Sequence, residues 1–152
     1  MMKLLTLSLL FLFTACVTTP KPDSMKRNVA NYTLPKLPKD GYAIVYMVRP
    51  ANLGAMIKFN VFVDNKEAEV GYTKGKEYLY FYLPVGKHQI LSKASNWATM
   101  DVDAKEREII FVEQKPKSGF PLPSNSLLRV VEYEGKYWVK HLKLGKIIKK
   151  QK

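Results

Sequence analysis

Short, evenly spaced strand-type stretches between residues 41 and 144 constrain the fold of this chain most strongly. Apolar, β-branched and aromatic residues recur in brief runs, and Gly, Pro, Asn or Asp separate one run from the next. Nine Tyr and seven Phe add to the preference for strands over helices. This spacing is typical of an all-β fold, and we expect a single antiparallel β-sandwich of about eight or nine strands.

Three turn signals join neighbouring strand-type stretches that we expect to pair as hairpins. They are Asp64-Asn65, Pro84-Val85-Gly86-Lys87 and Glu134-Gly135. In the second turn, Gly86 stands where a positive φ is expected, because tight turns often need one left-handed residue. The continuous apolar run at 42–48 predicts a strand that is buried on both faces.

Residues 1–15 have the pattern of a bacterial secretory signal peptide. The basic Lys3 precedes an apolar run at 4–13, which as a helix would span about 15 Å, half of a bilayer core. Small residues 14 and 15 then precede Cys16, the only cysteine in the chain. We therefore expect export across the inner membrane.

The stretch 13–16 resembles the lipobox of bacterial prolipoproteins. That resemblance implies cleavage before Cys16, a covalent diacylglycerol on its thiol and an N-acyl chain such as palmitate on its amine. The alternative is an ordinary signal peptide with Cys16 left as a free thiol, which is unusual at the start of a secreted chain. Val17 and Thr18 follow, with no Asp beside Cys16, and by the same resemblance this favours the outer membrane over the inner one.

Residues 16–40 are predicted to carry the lipid on Cys16 and to form a flexible tether. Prolines interrupt a polar and basic stretch that has no sustained apolar period. A short helix around 24–31 is the alternative within this segment. The β-sandwich is assigned to 41–144, and a basic tail to 145–152.

The formal net charge of +12 favours anionic partners. The export signal argues against nucleic acid, so the candidates are anionic lipid headgroups, lipopolysaccharide phosphates and acidic envelope polymers. The alternative is a lysine-rich surface that only maintains solubility. Lysines concentrate near the C-terminus without any acid after Glu134, and they predict contact with an anionic surface. These candidates are Lys140, Lys143, Lys146, Lys149, Lys150 and Lys152. The alternative for them is a solvated, frayed end.

Aromatic rings provide the second candidate site. Tyr78, Tyr80 and Tyr82 alternate along one strand and so share a face, and together with Trp97 they could stack on glycan rings. The alternative places these rings in the interior of the sandwich, where aromatic side chains commonly pack.

The residues suited to catalysis or metal binding are few. The only histidines are His88, expected to pack beside a turn, and His141, expected to be solvated. Asp101 and Asp103 share one strand face and are expected to be solvent-exposed. Zinc sites usually need three or four ligands, so no metal site is expected. No serine elbow or phosphate loop of the required spacing is present, and we do not expect an enzyme or a cofactor.

Three segments resemble the DUF2846 family of bacterial proteins, in the same order as in that family. They are Tyr46-Met47-Val48-Arg49-Pro50, Val61-Phe62-Val63-Asp64-Asn65 and Leu83-Pro84-Val85-Gly86-Lys87-His88. The resemblance covers about residues 41–114. It implies a β-sandwich domain, often in a lipoprotein, without implying a particular activity.

These features together predict a non-catalytic, lipid-anchored envelope lipoprotein. Its sandwich would serve as a binding or scaffold module for an envelope protein or an anionic envelope polymer. The alternative is a glycan-binding or glycan-processing envelope domain that uses the Tyr/Trp-rich face. The sequence leaves the oligomeric state open.

Overall fold

Two five-stranded sheets pack face to face in the computed structural model, which describes residues 19–148. The elements are α1 (Pro22–Val29), β1 (Tyr42–Arg49), β2 (Phe59–Val63), β3 (Glu69–Thr73), β4 (Glu77–Pro84), β5 (Gly86–Lys93), β6 (Trp97–Ala104), β7 (Ile109–Lys117), β8 (Ser124–Val130), α2 (Glu132–His141), β9 (Lys143–Leu144) and β10 (Lys146–Ile147). Sheet A has the order β8-β7-β1-β4-β9, and sheet B has the order β10-β3-β2-β5-β6. The predicted all-β sandwich is confirmed, and its described part has ten strands because each sheet gains a two-residue edge strand.

The expectation of purely antiparallel pairing is wrong for two strand pairs in sheet A. Strand β7 runs parallel to β1, with Ile109 opposite Ile44, and β9 runs parallel to β4, with Lys143 opposite Glu77. The chain crosses to sheet B between β1 and β4 and again between β4 and β7. Strand β7 therefore enters sheet A from the same end as β1 and runs in the same direction.

The first predicted hairpin is confirmed, since β2 and β3 pair antiparallel around the turn at 64–68. Asp64 adopts a φ of 65°, and the side chain of Asn65 accepts hydrogen bonds from the amides of Glu67 and Ala68. This is the turn chemistry that an Asp-Asn pair favours.

The second predicted hairpin is wrong, although its glycine behaves as expected. Gly86 has a φ of 134°, but the strands on either side of it belong to different sheets. Strand β4 pairs along its whole length with β1, and β5 pairs with β2 and β6. The turn therefore carries the chain from one sheet to the other.

The third predicted hairpin is also wrong, because helix α2 occupies the position of the turn and the second strand. Glu132 and Glu134 lie in its first turn, and Lys140 and His141 lie in its last. Each charge opposes the partial charge of the nearer helix end, which favours the helix. An ion pair between Lys136 and Glu132, one turn apart, adds a small contribution.

Residues 22–40 do not form the predicted flexible tether. They contain α1 and three buried side chains, Met25, Val29 and Leu34. Met25 and Val29 are four residues apart and so lie on the same helix face. The hydroxyl of Tyr46 donates to the carbonyl of Lys36 at 2.6 Å, which holds the segment against sheet A. Residues 16–18 lie outside the described part of the chain.

The boundary predicted for the basic tail also shifts. Lys146 and Ile147 form β10 on the edge of sheet B, where they pair with Tyr72 and Gly71 of β3. Ile147 packs against the interior cluster. The tail that remains, 149–152, lies outside the described residues.

The core consists of two layers of apolar side chains on opposite sides of sheet A. The layer between the sheets contains Ala43, Val45, Met47, Val61, Val70, Leu79, Phe81, Leu83, Ile90, Val102, Ala104, Ile110 and Val112. The layer between sheet A and the helical segments contains Leu34, Ile44, Tyr46, Val48, Tyr78, Phe111 and Val139. Sheet A is thus covered on both faces. Within 19–148, neither helix is long and apolar enough to cross a membrane.

Candidate functional site

The three tyrosines of β4 share one face, as predicted, but that face is neither an open surface nor the sandwich interior. Tyr78 is buried, and Tyr80 and Tyr82 are partly buried in the layer beneath the helical segments. The ring of Tyr46 lies 6.2 Å from that of Tyr78 and stacks 5.7 Å from that of Phe111. The tyrosine face therefore contributes to packing.

Three tyrosine hydroxyls of this layer are harder to ionise than a free tyrosine. Burial raises the pKa of Tyr46 and of Tyr78, and it also raises the pKa of Tyr82. The hydroxyl of Tyr82 bonds to the carbonyl of Leu37 at 3.2 Å. Together with the bond from Tyr46 to Lys36, this contact fixes the N-terminal segment against sheet A.

Trp97, the fourth residue of the predicted glycan site, lies on the other sheet. It begins β6 and points from the outer face of sheet B, where its ring centroid is 5.2 Å from that of Phe62. The ammonium groups of Lys66 and Lys93 lie 4.9 Å and 5.3 Å from the Trp97 ring centroid. We call these four residues the aromatic–lysine cluster.

The local fold explains how this cluster forms. Lys93 lies opposite Trp97 in the β5–β6 pair. Phe62 of β2 lies opposite Leu91 of β5, next to an irregularity in the pairing of β2 with β3. Leu91 is buried, so the cluster rests on an apolar base. Sequence reasoning missed Phe62 and Lys66 because the pairing of β2 with β5 joins residues far apart in the chain. It missed Lys93, four residues before Trp97, because only the register of β5 with β6 places the two side by side.

Other polar side chains lie on or beside the same sheet. Lys58 lies 4.6 Å from the ring centroid of Tyr72 on β3. Asp101 and Asp103 are exposed on β6, as predicted, and each has a partner: Gln89 donates to Asp101, and Lys105 donates to Asp103. The hydrogen bond from Lys105 lowers the pKa of Asp103. The two carboxylates therefore belong to surface pairs.

The cluster combines two chemical functions. A Trp ring offers an apolar face with π character, and each ammonium group offers up to three donors. The ring can stack on a flat apolar surface such as that of a sugar, while the lysines pair with carboxylate or phosphate oxygens. Cation–π contacts hold the ammonium groups near the ring.

The three predicted C-terminal lysines that the structure describes lie on three different elements. Lys140 of α2 donates to the backbone carbonyl of Asn28 at 2.6 Å, so it links the two helices. Lys143 and Lys146 are exposed, and they lie on β9 and β10, which belong to different sheets. Lys149, Lys150 and Lys152 lie outside the described residues.

Both histidines have structural partners. The Nδ1 atom of His88 lies 2.8 Å from Oδ2 of Asp64, and its Nε2 atom lies 2.9 Å from the carbonyl oxygen of Pro84. It therefore ties two turns together, beside a turn as expected. His141 is exposed and contacts Oδ1 of Asn28 at 3.0 Å. Among residues 19–148, no group of three His, Cys, Asp or Glu side chains could hold a metal ion.

A groove of about 630 Å³ lies beside the start of α2. Arg107 and Arg129 line it together with apolar residues of β7 and β8. Both guanidinium groups already pair with carboxylates: Arg107 with Asp40 at 2.9 Å and Arg129 with Glu108 at 2.6 Å. The groove is therefore a weaker candidate than the aromatic–lysine cluster.

Cys16 lies outside the described residues, so its lipidation stays a prediction. Neither a protein-family model nor a curated protein matches this chain. The resemblance to the DUF2846 family stays a prediction as well.

Proposed function

We propose that this chain is a lipid-anchored, non-catalytic module of the bacterial cell envelope that binds an anionic envelope polymer. The binding surface is the outer face of sheet B, centred on the aromatic–lysine cluster. The observation that carries the proposal is the position of two ammonium groups within about 5 Å of an aromatic ring on this face. The net charge of +12 supports an anionic ligand over a neutral one.

The anchor in this proposal is the lipid on Cys16. Two or three acyl chains hold a protein stably on a membrane, because each buried CH₂ contributes about 0.8 kcal/mol. The absence of Asp beside Cys16 favours the outer membrane. Labelled palmitate tests the anchor: wild type should incorporate it, and Cys16→Ser should remain an unlabelled, unprocessed precursor. Label in the Ser variant would contradict this part of the proposal.

A pair of polymers with the same sugar tests the binding surface. Polygalacturonate carries carboxylates, and its methyl-esterified form lacks most of that charge. The wild-type chain should bind the acid form more tightly, and Trp97→Ala or the pair Lys66→Gln and Lys93→Gln should weaken this binding. Tyr133→Ala is the matched control, because Tyr133 also lies near a lysine, Lys26 at 5.2 Å, but on α2.

The two alternatives predict different results in the same experiment. If wild type binds both polymers equally and Trp97→Ala binds neither, the result would favour a neutral glycan as the ligand. The contact of Trp97 with Phe62 also fits this alternative. An envelope protein that co-purifies with wild type but not with Trp97→Ala would favour a protein partner. If no interaction depends on Trp97, the open face of sheet B is not the binding surface.

A further inference from the structure

One end of the sandwich concentrates exposed apolar side chains. Within residues 19–148, ten large apolar side chains are exposed, and four of them lie in the loops 50–58 and 118–123. These are Leu53, Met56, Phe120 and Leu122. Phe120 is 100% exposed and Met56 is 78% exposed. We call this the apolar end.

The two loops belong to one surface. The position that a Cβ would take at Gly54 lies 2.8 Å from Cγ of Pro123, so the loops touch. The other two connections at this end are in contact with them: the amide of Gly75 donates to Ala55 at 2.9 Å, and the amide of Ser95 donates to Pro123 at 3.4 Å. Four connections therefore meet at the apolar end.

Arg49 fixes the shape of the first loop from below. Its side chain is 0% exposed. Nη1 donates to the carbonyl of Ile57 at 2.7 Å, and Nη2 donates to the carbonyls of Leu53 at 3.0 Å and Gly54 at 2.8 Å. Burial lowers the pKa of Arg49 to about 10, against the opposing effect of Glu77. The guanidinium thus holds the loop backbone in a defined shape while Leu53 and Met56 stay exposed.

At one end of the sandwich the connections carry only basic side chains, whereas at the other end acidic and basic side chains are mixed. The four connections at the apolar end, 50–58, 74–76, 94–96 and 118–123, contain no Asp or Glu, and they contain Lys58, Lys74 and Lys76. At the opposite end, acidic side chains are frequent and paired. Asp64 pairs with His88, Asp40 pairs with Arg107, and Glu106 accepts from the amide of Gly41.

We propose that the apolar end docks on an anionic lipid bilayer, with Phe120 and Met56 inserted among the headgroups and the surrounding lysines on lipid phosphates. Exposed apolar side chains with lysines in the same and neighbouring loops suit this interface, because lysines can keep the ammonium in the headgroup layer. The inference deepens the proposed function, since it needs a protein that works at a membrane.

Vesicle binding by an unlipidated chain tests this inference without the anchor. The chain is residues 16–152 with Cys16→Ser, which retains every described residue. It should bind phosphatidylglycerol vesicles and ignore phosphatidylcholine vesicles. The double variant Phe120→Ser and Met56→Ser should bind at least about tenfold more weakly, because the inserted side chains are gone.

Matched controls separate insertion from a general loss of apolar surface. Leu37 and Val85 are 57% and 52% exposed but lie away from the apolar end, so Leu37→Ser with Val85→Ser should bind as wild type does. A chain ending at Ile148 lacks the three tail lysines and tests how much they contribute to vesicle binding. Binding that is unaffected by the loop variant but lost in the truncated chain would overturn the proposal in favour of the tail.

A tryptophan probe reports insertion directly. The added fluorescence of Phe120→Trp, above the background from Trp97 and Trp138, should be quenched by vesicles with brominated acyl chains. The added fluorescence of Val85→Trp should not be quenched. Binding without quenching at position 120 would overturn insertion. If vesicles are not bound and an envelope protein cross-links through position 120, the apolar end is a protein-docking surface instead. Palmitate labelling of Cys16 in cells is measured separately, so failure here leaves the anchor result unaffected.

Discussion

The outer faces of the two sheets carry aromatic residues in different settings. On sheet A, Tyr46, Tyr78 and Phe111 form a continuous aromatic layer that the helical segments cover. On sheet B, Trp97 and Phe62 form a pair with lysines near the Trp97 ring, and no helix covers them within residues 19–148. In this molecule the dense aromatic face packs under a further layer of structure, whereas the smaller aromatic pair with nearby lysines is the better candidate for binding.

The cover on sheet A comes from both ends of the chain. The N-terminal segment reaches Tyr46 through Lys36, and α2 packs against β1 and β7. The helices are linked to each other, since Lys140 and His141 both contact Asn28. Disturbing the cover should therefore destabilise the fold, whereas disturbing the open face of sheet B should mainly affect binding.

The largest effect is expected at Gly135, where α2 comes closest to sheet A. A Cβ at this position would lie 2.1 Å from Cγ of the buried Phe111. Gly→Ala inside a helix normally stabilises by about 1 kcal/mol. Here we expect Gly135→Ala to destabilise by about 2–3 kcal/mol, because Phe111 or the helix must move. Urea unfolding followed by circular dichroism measures the difference.

The neighbouring residue provides the control for this substitution. Lys136→Ala removes the ion pair between the half-buried Lys136 and the exposed Glu132 and should cost about 0.5 kcal/mol or less. If Gly135→Ala were as stable as wild type, α2 would not pack on Phe111. The tyrosine face would then be open, and the distinction between the two sheets would fail.

An effect of similar size is expected in the N-terminal segment. Leu34 is 5% exposed and belongs to the covered layer, whereas Leu37 is 57% exposed. Leu34→Ala should destabilise by about 2–3 kcal/mol, since a buried Leu leaves a cavity when truncated. Leu37→Ala should change stability by less than about 0.5 kcal/mol. Equal and negligible effects in thermal unfolding would show that the segment is the flexible tether predicted from sequence.

Local sequence patterns predicted the strands better than their pairing. The apolar run at 42–48 corresponds to β1, and the Asp64-Asn65 turn joins β2 to β3 as expected. The 84–87 turn looks like a hairpin turn because its residues satisfy the same backbone requirement whether the next strand pairs locally or crosses to another sheet. That choice depends on β1, more than thirty residues earlier, which pairs with β4.

The helix at 132–141 was missed for a related reason. Tyr133, Tyr137 and Trp138 favour strands, and Glu134-Gly135 resembles a turn. Gly135 is instead required by the close approach to Phe111, which only the tertiary structure reveals. The same holds for the candidate site. Trp97 was identified from sequence, but its partners Phe62, Lys66 and Lys93 come from other elements.

The smallest effect expected is a stabilisation, and it concerns a carboxylate on the covered side of sheet A. Glu113 of β7 is partly buried. Burial raises its pKa, nearby Glu134 of α2 raises it further, and Lys115 opposes the shift. A raised pKa means that ionised Glu113 is less favourable in the folded chain than in the unfolded chain. Glu113→Gln should therefore raise the melting temperature at pH 7. The gain in the free energy of unfolding should be less than about 1 kcal/mol.

The pH dependence gives this last prediction its sign. In the unfolded chain the Glu113 carboxyl has its ordinary pKa of 4.5, and in the folded chain its pKa is higher. Protonated Glu113 thus contributes stability that is fully present below that ordinary pKa and is lost as pH rises through the folded pKa. The advantage of Glu113→Gln should be greatest at neutral pH and should shrink towards zero below about pH 4. The exposed Glu67, in the turn between β2 and β3, is the matched control, and Glu67→Gln should show little change at either pH. If Glu113→Gln remained more stable than wild type in acid, the gain would come from packing. Burial beneath the cover of sheet A would then not disfavour the ionised form of Glu113.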